Sequence, residues 1–410
     1  MSSEWSETTL GGFVRLQRGH DLTASEQQPG PYPVMGSAGQ NGSHNVAKAK
    51  GPGVVVGRSG ASMGRVHYSE SDYWPHNTCL YVTDFQGNNP RFAYYVLGSL
   101  DLAGYNSGSA QPSLNRNYIY GMPLKIPSRA QQDSIVEVLS ALDDRIALLR
   151  ETNATLEAIA QALFKSWFVD FDPVHARALG EEPAGLSPEV AALFPASFEE
   201  SELGIVPKGW RVGTLADLSD LNPESWTSRT HPESVRYVDL ANTKDNVIAE
   251  VTEFSFEEAP SRARRVLRDG DTIVGTVRPG NRSFAFISNA SANLTGSTGF
   301  AVLRPRHDRN TEFVFLAATS DNSIDHLAHV ADGGAYPAVR SEVVSGLSCV
   351  VPDGDVLCAF HEVAQPIFNK VAANHQQAQT LATLRDTLLP RLISGQLRLP
   401  EAESLVEATL

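Results

Sequence analysis

The most regular pattern in the chain is a long amphipathic stripe that occurs twice. In the first copy, apolar residues recur in alternating steps of four and three from Ile135 to Trp167, which is nearly five heptads. In the second copy the same spacing runs from Phe360 to Leu392 and is interrupted at Arg385. Such spacing is typical of helices that pack along a seam, and roughly 40 helical residues make a rod of about 60 Å. We therefore expect two long helices that form an antiparallel coiled coil with each other.

The predicted coiled-coil seam draws on both helices. Its members are Ile135, Leu139, Leu142, Ile146, Leu149, Asn153, Leu156, Leu163, Phe360, Ile367, Val371, Asn374, Leu381, Leu388 and Leu392. The two asparagines either set the register of the coiled coil, at some cost in stability, or face solvent. We expect Asp172-Pro173 to end the first helix and Gly395 with Pro400 to end the second.

The remainder of the chain has the composition of strands and loops. It is rich in Gly, Pro, Asn and Ser, and it contains short β-branched or aromatic runs: VVVG (54–57), CLYV (79–82), TIVGTV (272–277) and FAFI (284–287). These runs predict short strands separated by loops. Short helices are expected at residues 90–102 and 311–329.

Two stretches of the chain match each other at a constant offset. SAQPSLNRNYIYGMPLKIP (109–127) aligns with GAYPAVRSEVVSGLSCVVP (334–352), and the offset of 225 continues without a gap through both helices. A chance alignment of helices does not explain agreement across a strand-like segment and a helix together. We infer a pseudo-two-fold internal repeat. The predicted fold is mixed α+β, with two strand-rich domains joined by the two helices.

The repeat and the patterns above predict a domain organisation. The segments are a first domain at 1–128, the first helix at 129–171, a linker at 172–207, a second domain at 208–352, the second helix at 353–399, and a tail at 400–410. Within the linker, residues 181–204 are acidic and contain prolines, which indicates an exposed connector.

Composition narrows the class of protein. The chain has 410 residues, of which 41% are hydrophobic and 20% charged, so it is not disordered as a whole. No run approaches the roughly 18–20 apolar residues of a membrane span, and residues 1–20 lack the apolar core of a signal peptide. Three widely spaced cysteines provide neither a disulfide framework nor a four-cysteine zinc site. We expect a cytoplasmic protein.

Strings that resemble catalytic motifs fail at a required position. GRSGA (57–61) ends in alanine where a nucleophile elbow has glycine. GPGVVVGRSG (51–60) is neither a Walker loop nor a GxGxxG fingerprint. The chain also lacks the Asn/Asp-Pro-Pro-aromatic tetrapeptide of amino-methyltransferases and an acidic cluster with lysine of the nuclease kind. We expect no catalytic residue.

The remaining titratable residues give the same result. No pair of histidines has metal-binding spacing, so we interpret His44, His67 and His76 as surface or loop residues. Asp143 and Asp144 fit a solvated helix face better than an acid–base pair. The sequence predicts no bound metal and no cofactor in this chain.

The charge distribution contains evidence both against and for nucleic-acid binding. A net charge of −14 repels phosphate, but residues 129–200 alone carry 13 Asp+Glu against 5 Lys+Arg. Residues 261–282, in contrast, contain six arginines and two aspartates. Arginine suits phosphates and guanine edges. The equally weighted alternative is a solvated surface that pairs with Glu253, Glu257 and Glu258.

Two loops at corresponding places in the repeat are candidates for base recognition. NSGSAQPSLNRN (106–117) combines amides and hydroxyls with an arginine, and it reappears in the second half as DGGAYPAVR (332–340). Asn and Gln can pair with adenine edges, and Ser can bind a phosphate or a base. The shared frame with different side chains favours two readers of different targets.

Four strings resemble one protein family, the DNA specificity subunits of type I restriction-modification systems. They are SGSAQPSLNRNYI, LSALDDRIALLRETNATLEAIAQALFKSWFVDFDPV, LRDTLLPRLISGQL and ELGIVPKGW. The resemblance covers almost the whole chain. It implies that two target-recognition domains each read one half of a split double-stranded DNA site, and that two antiparallel helices fix the gap between the halves. The break at Arg385 and the small Ala364 and Ala378 depart from a regular seam and indicate looser or partner-assisted packing.

The resemblance also implies partners. Two modification (methyltransferase) subunits would bind the helices and domains, and restriction (translocase and nuclease) subunits would join them. S-adenosylmethionine, ATP and Mg would act in those subunits, so this chain would be a non-catalytic specificity subunit. The acidic excess is consistent with a surface that largely meets other proteins. The competing interpretations are a scaffold that organises a protein assembly without DNA, and a fused restriction enzyme, whose motifs are missing.

Candidate DNA-binding residues combine the two loops with the arginine-rich segment. They are Arg58, Ser59, Asn106, Ser107, Ser109, Gln111, Asn115 and Arg116 in the first domain and Arg262, Arg264, Arg265, Arg278, Arg282, Tyr336 and Arg340 in the second.

Overall fold

The chain divides into two compact units in the computed structural model, which describes residues 5–108, 111–202, 204–334 and 336–409. Unit 1 comprises Met1–Leu149 together with Gln377–Leu410, and unit 2 comprises Arg150–Gln376. Each unit therefore contains one strand-rich domain and a segment of both long helices. Among the described residues, no helix has the length and apolar character of a membrane span.

The strand-rich domain of unit 1 precedes the first long helix. Its elements are β1 (Trp5–Thr9), α1 (Leu10–Phe13), β2 (Arg15–Arg18), β3 (Tyr32–Gly36), β4 (Gly39–His44), β5 (Gly53–Gly57), β6 (Val66–Ser69), β7 (Trp74–Pro75), β8 (Cys79–Asp84), α2 (Pro90–Ser99), α3 (Arg116–Ile119) and β9 (Pro123–Pro127). Local sequence explains several of them. The Asn89 side chain caps α2 and Pro90 lies in its first turn. The VVV run makes β5 buried at every position.

Between the two long helices, unit 2 contains a second strand-rich domain. The first long helix is α4 (Arg129–Phe168), and after it come α5 (Asp172–Ala178), α6 (Pro188–Ala191), β10 (Phe198–Ser201), β11 (Gly204–Pro207), β12 (Arg211–Thr214), α7 (Leu215–Leu218), β13 (Ser219–Leu221), β14 (Ser234–Val238), β15 (Thr243–Lys244), β16 (Val247–Ile248), β17 (Thr252–Ser255), β18 (Ala263–Val266), β19 (Thr272–Gly275), β20 (Phe284–Phe286), β21 (Leu294–Ser297), β22 (Phe300–Pro305), α8 (Thr311–Thr319), α9 (Asp321–Val330), α10 (Ser341–Ser345) and β23 (Ser348–Val351). The second long helix, α11 (Gly354–Ile393), and a short α12 (Leu399–Glu407) complete the chain.

The two units repeat the same topology. The central sheet has the order β2-β8-β5-β6 in unit 1 and β13-β22-β19-β20 in unit 2, and the smaller sheets β1-β9 and β12-β23 correspond as well. Strand register also agrees, because Gly57 lies opposite Cys79 in unit 1 and Gly275 opposite Phe300 in unit 2. The long helices α4 and α11 each contain 40 residues, and their ends are offset by 225, as in the sequence repeat.

The long helices pair with each other in both units. In unit 1, Leu142 and Ile146 of α4 share a buried core with Leu381 and Leu388 of α11. In unit 2, Asn153 bonds Asn374, whereas Trp167 contacts Phe360 at 5.5 Å between ring centroids. Residue numbers thus rise along one helix as they fall along the other, so the helices are antiparallel. The predicted α+β class and antiparallel helix pair are confirmed.

Proline positions account for several differences between predicted and observed helix boundaries. α4 ends at Phe168, and Asp172-Pro173 begins α5 rather than ending α4. Pro400 likewise lies in the first turn of α12, so the predicted tail is largely helical. Proline is favoured in a first helical turn because its missing N–H would have no intrahelical acceptor there. The helix predicted at residues 311–329 is two helices that meet at Ser320, whose side chain caps α9.

The segment between α4 and the second domain is more ordered than the sequence indicates. Phe194 is 1% exposed and Val174 is fully buried, and both belong to the core of unit 2. Residues 198–207 form the β10–β11 hairpin. The interpretation of residues 181–204 as an exposed connector is therefore wrong at Phe194, because its apolar side chain packs against Trp167 and Trp210.

Candidate nucleic-acid interface

A polar loop in unit 1 is held against the turn that follows β5. We call it recognition loop 1 (residues 106–116); Ser109, a predicted DNA-binding residue, lies outside the described residues. Three backbone hydrogen bonds fix the loop: Leu114 N–H to Arg58 C=O at 2.8 Å, Gly60 N–H to Pro112 C=O at 3.1 Å, and Ser107 N–H to Ser113 C=O at 2.8 Å. The described parts of the loop, residues 106–108 and 111–116, are therefore held at three points, and most of their side chains are exposed.

The second strand-rich domain holds the corresponding loop with the same three bonds. In recognition loop 2 (residues 332–340) they are Val339 N–H to Thr276 C=O at 2.9 Å, Arg278 N–H to Pro337 C=O at 2.7 Å, and Asp332 N–H to Ala338 C=O at 3.1 Å. Donors and acceptors occupy equivalent positions of the repeated topology in both units. The two loops thus share a backbone frame and differ in side chains.

The equivalent positions include two with left-handed backbone conformation. Gly60 and Gly64 have φ of 81° and 85° in unit 1, and their counterparts Arg278 and Arg282 have φ of 47° and 60° in unit 2. A left-handed conformation costs a residue with a side chain roughly 1–2 kcal/mol. Such strain concentrates at functional sites. The arginines are therefore expected to contribute interactions that offset this cost.

Equivalent positions on the two loops also present different exposed side chains. Gln111 in loop 1 corresponds to Tyr336 in loop 2, whose side chain is 72% exposed. The Arg278 guanidinium lies 4.9 Å from the centroid of the Tyr336 ring, which brings these two predicted residues together. Asn115, which caps α3, corresponds to the exposed Arg340, which precedes α10.

Other predicted residues of unit 1 support the loop rather than project from it. The Asn106 Oδ1 atom accepts hydrogen bonds from Gly108 N–H at 2.9 Å and Ser113 N–H at 3.0 Å. The Ser107 hydroxyl donates to Ser113 C=O at 2.8 Å. The Arg116 guanidinium donates to Leu16 C=O at 3.0 Å. Two further predicted residues, Arg58 and Ser59, are half-buried and bonded through their backbone N–H groups to Thr78 C=O.

The arginine-rich segment of unit 2 separates into two groups. Arg262, Arg264 and Arg265 lie on or beside β18, whereas Arg278 and Arg282 follow β19. Arg262 pairs with Asp239 at 2.5 Å, and Arg264 lies 4.7 Å from the Phe256 ring centroid. Arg262 and Arg264 therefore do not have Glu253, Glu257 or Glu258, the acidic residues considered from the sequence, as their main partners.

Two of those acidic residues instead bind serines. Glu253 accepts from Ser234 at 3.1 Å and Glu258 from Ser255 at 2.8 Å. Arg265 differs from its neighbours because its Nε atom is buried and has no hydrogen-bond partner among the described residues. Burial lowers the pKa of this guanidinium, which is consistent with a group short of partners.

Arg282 is bonded within its own domain. Its Nε atom donates to Asp245 at 2.5 Å and its Nη1 atom to Asp321 at 2.8 Å. These bonds, first that to Asp245, raise the pKa of Arg282 although burial opposes the change. Binding to phosphate would require this guanidinium to leave two carboxylates. Its geometry favours a structural role over the predicted DNA contact.

Most predicted seam residues are buried. Exposure is 6% or less for Ile135, Leu139, Leu142, Ile146, Leu149, Asn153, Phe360, Val371, Asn374, Leu381, Leu388 and Leu392. Three others, Leu156, Leu163 and Ile367, are only half-buried, and Phe164 and Phe368 are buried instead. An α-helix with 3.6 residues per turn drifts relative to a strict heptad, so the buried face moves by one residue towards the end of α4.

Buried asparagines form hydrogen bonds between the two long helices. Asn374 Nδ2 donates to Asn153 Oδ1 at 2.8 Å, and Asn153 Nδ2 donates to Val371 C=O at 3.1 Å. Both asparagines are buried, with 1% and 3% exposure. Of the two interpretations left open by the sequence, the solvated one is excluded by this burial.

The sequence missed a polar network in unit 1. Arg385 donates to Asp143 at 2.7 Å, and Asp143 also accepts from the Tyr95 hydroxyl at 2.6 Å. Burial, followed by the bond to Asp143, raises the pKa of Tyr95. The expectation of a solvated Asp143 is wrong, because this carboxylate is bonded to both α2 and α11 and its side chain is only 18% exposed. Only Asp144 is exposed, and it pairs with Arg91 at 2.9 Å. An antiparallel alignment of the two predicted helices places Arg385 near Asp143, and this alignment could have indicated the ion pair.

The histidines considered as surface or loop residues have structural partners. His44 is 8% exposed, and its ring meets Trp74 edge-on at 5.1 Å. His67 contacts Ser37 C=O at 3.1 Å, and His76 contacts Thr78 and Leu22 C=O. Within the described ranges, no group of three or more His, Cys, Asp or Glu side chains is arranged to hold a metal.

Comparison with known proteins gives consistent matches. Residues 2–158 match the family model described as the type I restriction modification DNA specificity domain. The specificity subunit of the type I restriction enzyme HindI of Haemophilus influenzae is 25% identical over 359 residues, covering 75% of this chain and 77% of that protein. The MjaIX specificity subunit of Methanocaldococcus jannaschii is 24% identical over 359 residues, covering 85% and 78%.

A solved structure shows the same fold. The type I restriction-modification S subunit from M. genitalium matches with a TM-score of 0.57 at 15% identity, over 95% of this chain and 96% of that chain. Residues 2–158 thus match a DNA specificity domain, and the fold of the chain is that of an S subunit. The chain is similar to type I restriction-modification specificity subunits along most of its length. The resemblance inferred from the sequence is confirmed.

Proposed function

We propose that the chain reads a DNA site in two separate halves, one with each recognition loop, and that the paired helices fix the gap between them. The observation that carries this proposal is the shared backbone frame of the two loops. Three equivalent hydrogen bonds hold each loop, while equivalent positions carry different side chains. A repeated frame with different exposed groups suits two half-sites of unlike sequence.

Side-chain chemistry suggests which positions read bases. Gln111 can pair with an adenine edge, and Arg340 can bind the O6 and N7 atoms of guanine. Tyr336 with Arg278 beneath it forms an exposed aromatic and cationic surface. We assign base contacts to these four residues.

The remaining predicted residues are assigned by their contacts. Arg58, Arg264 and Arg265 are proposed to lie near the phosphates. Ser59, Asn106, Ser107, Asn115 and Arg116 are proposed to shape loop 1, and Arg262 and Arg282 to brace the second domain through their ion pairs.

We further propose that modification and restriction subunits dock on this chain. These partners would bind S-adenosylmethionine, ATP and Mg and perform the chemistry. A net charge of −14 supports this division, because an acidic protein binds DNA better when partners contribute positive charge. The isolated chain is expected to bind DNA weakly at moderate salt.

The test is DNA binding by the assembled complex across a panel of single-base variants of its site. Arg340→Ala is expected to cost about 1–3 kcal/mol and to relax discrimination at one base pair of one half. Arg229→Ala removes another exposed arginine of the same domain and serves as the charge-matched control, with discrimination unchanged.

Three other outcomes have distinct meanings. Equal weakening on every sequence would make Arg340 a phosphate contact, and no change would remove it from the interface. A complex without any sequence preference would refute the proposal and favour a scaffold.

A further inference from the structure

Unit 1 has an open groove between β6, α2 and α4. Its volume is about 670 Å³, and Val66, Tyr94 and Asp143 are among the residues that line it. All of these residues belong to unit 1. The groove is separate from the described part of recognition loop 1, since none of those residues lines it.

The corresponding place in unit 2 is nearly full. The counterparts of those three residues in the repeated topology are Phe284, Phe315 and Phe368, and they line a space of only about 70 Å³. Asp245 and Asn246 line the same space. The repeat therefore leaves one groove open and closes the other.

A difference in loop length explains the contrast. The equivalent strands β3 and β4 are joined by residues 37–38 in unit 1, whereas β14 and β17 are joined by residues 239–251 in unit 2. The longer connection contains the β15–β16 hairpin, which contacts β20. Unit 2 thus fills its groove with a segment that unit 1 lacks.

Asn246 at the tip of this hairpin makes the closing contacts. Its N–H donates to Phe284 C=O at 3.0 Å, and its Oδ1 atom accepts from Phe286 N–H at 2.8 Å. Its Nδ2 atom donates to Glu157 of α4 at 2.6 Å. A single residue of the insertion, Asn246, is thus hydrogen-bonded both to the edge of β20 and to the long helix α4.

Among the described residues, none is hydrogen-bonded through its backbone to the equivalent edge in unit 1. β6 is the last strand of its sheet, and it is paired to β5 with Val55 opposite His67. Gly57 N–H donates to Arg65 C=O at 2.7 Å, so the alternation of an antiparallel ladder directs Val66 C=O and Tyr68 N–H away from β5. These two groups correspond to those that Asn246 binds in unit 2. Free strand edges of this kind pair with added polypeptide.

The groove is also acidic at its rim. Glu70 and Asp144 have side-chain exposures of 78% and 67%, and both pair with Arg91, which lines the same groove. Such a rim disfavours a phosphate backbone and favours a basic segment. We propose that an extended segment of a modification subunit occupies this groove, bonds the free edge of β6, and places a lysine or arginine against Glu70 and Asp144. This inference rests on the proposed docking of modification subunits.

The test measures amide hydrogen exchange in the full chain, alone and bound to its modification subunit. The expected result is at least about tenfold slower exchange in peptides that cover Val66–Ser69, because the open edge becomes hydrogen-bonded. Glu70→Lys is expected to weaken binding of that subunit at least about fivefold, since like charges then face each other. Glu7→Lys, an equally large charge change at an exposed site of unit 1, is the control and is expected to leave binding unchanged.

The outcomes separate this inference from the proposed function. A complex that forms while the exchange of Val66–Ser69 stays unchanged would overturn the groove as a docking site and leave subunit docking intact. Failure of any complex to form would overturn both. Protection on addition of DNA alone, or on raising the concentration of the chain alone, would replace the proposed occupant with DNA or with a second copy and so contradict the assignment.

Discussion

Replacing one of the two buried seam asparagines tests the geometry of the helix pair. In Asn374→Ala, Asn153 Oδ1 loses the donor that lies 2.8 Å away in the native chain. The atom would stay enclosed, because Asn153 is 3% exposed. Asn153 Nδ2 would keep its bond to Val371 C=O, so the loss falls on one acceptor and on the packing of one side chain.

The magnitude follows from two contributions. A hydrogen bond contributes about 0.5–1.5 kcal/mol, and a buried acceptor without a partner costs about 1–3 kcal/mol. We expect a total of about 1.5–4.5 kcal/mol, which corresponds to a roughly 13- to 2,000-fold change in an opening equilibrium. The double variant Asn153→Leu with Asn374→Leu leaves no polar group unpaired and is expected to recover most of the stability.

Amide exchange is the appropriate assay, because a chain with two compact units need not unfold in one step. Peptides from residues 150–156 and 370–376 report on the helix pair in unit 2, and peptides from β5 in unit 1 provide the internal reference. Unchanged exchange in Asn374→Ala would mean that water reaches the pair, and it would refute the buried arrangement. Equal damage in the single and double variants would show that packing rather than pairing dominates.

Two further predictions concern the same helices. Arg385→Met leaves the Asp143 carboxylate without its cation, and amide exchange in unit 1 peptides from residues 139–149 is expected to show a loss of about 1–3 kcal/mol in the free energy of opening; unchanged exchange would contradict a stabilising pair. Burial, and secondarily Arg150, lowers the pKa of His375 below its ordinary 6.5. The stability associated with neutral His375 is therefore fully present above the pKa of histidine in the unfolded chain. It is lost as the pH falls through the lower pKa of His375 in the folded chain. Unfolding midpoints between about pH 7 and pH 5 should fall more steeply in the native chain than in His375→Gln, and identical slopes would exclude this residue as the cause.

Periodicity was sufficient to predict the helices and their pairing. The four-three spacing follows directly from helix geometry, and the constant offset carries over to two helices with ends 225 residues apart. Strand-like runs such as residues 54–57 also lie in observed strands. The helices and these strands depend on local sequence patterns, so they could be predicted from one sequence.

Local sequence patterns did not predict the long-range polar pairs. The bond between Asp143 and Arg385 joins residues 242 positions apart, and no local pattern records it. The arginine-rich segment was found, but the sequence could not reveal that Arg282 is bonded to two aspartates. The connection at residues 239–251 can likewise be recognised as an insertion only by comparison with the two-residue connection, 37–38, in unit 1. The candidate interface could thus be located as two loops, while the role of each residue depends on the fold.

Methylome sequencing tests the central claim most directly. Cells that carry the complete system are compared with cells that lack this chain and with cells in which recognition loop 2 is altered. The account predicts a methylated motif of two separated parts that disappears without the chain, and a loop 2 variant that changes one part and leaves the other part and the gap intact. Methylation that is indifferent to the chain, or a loop variant that changes both parts together, would contradict it.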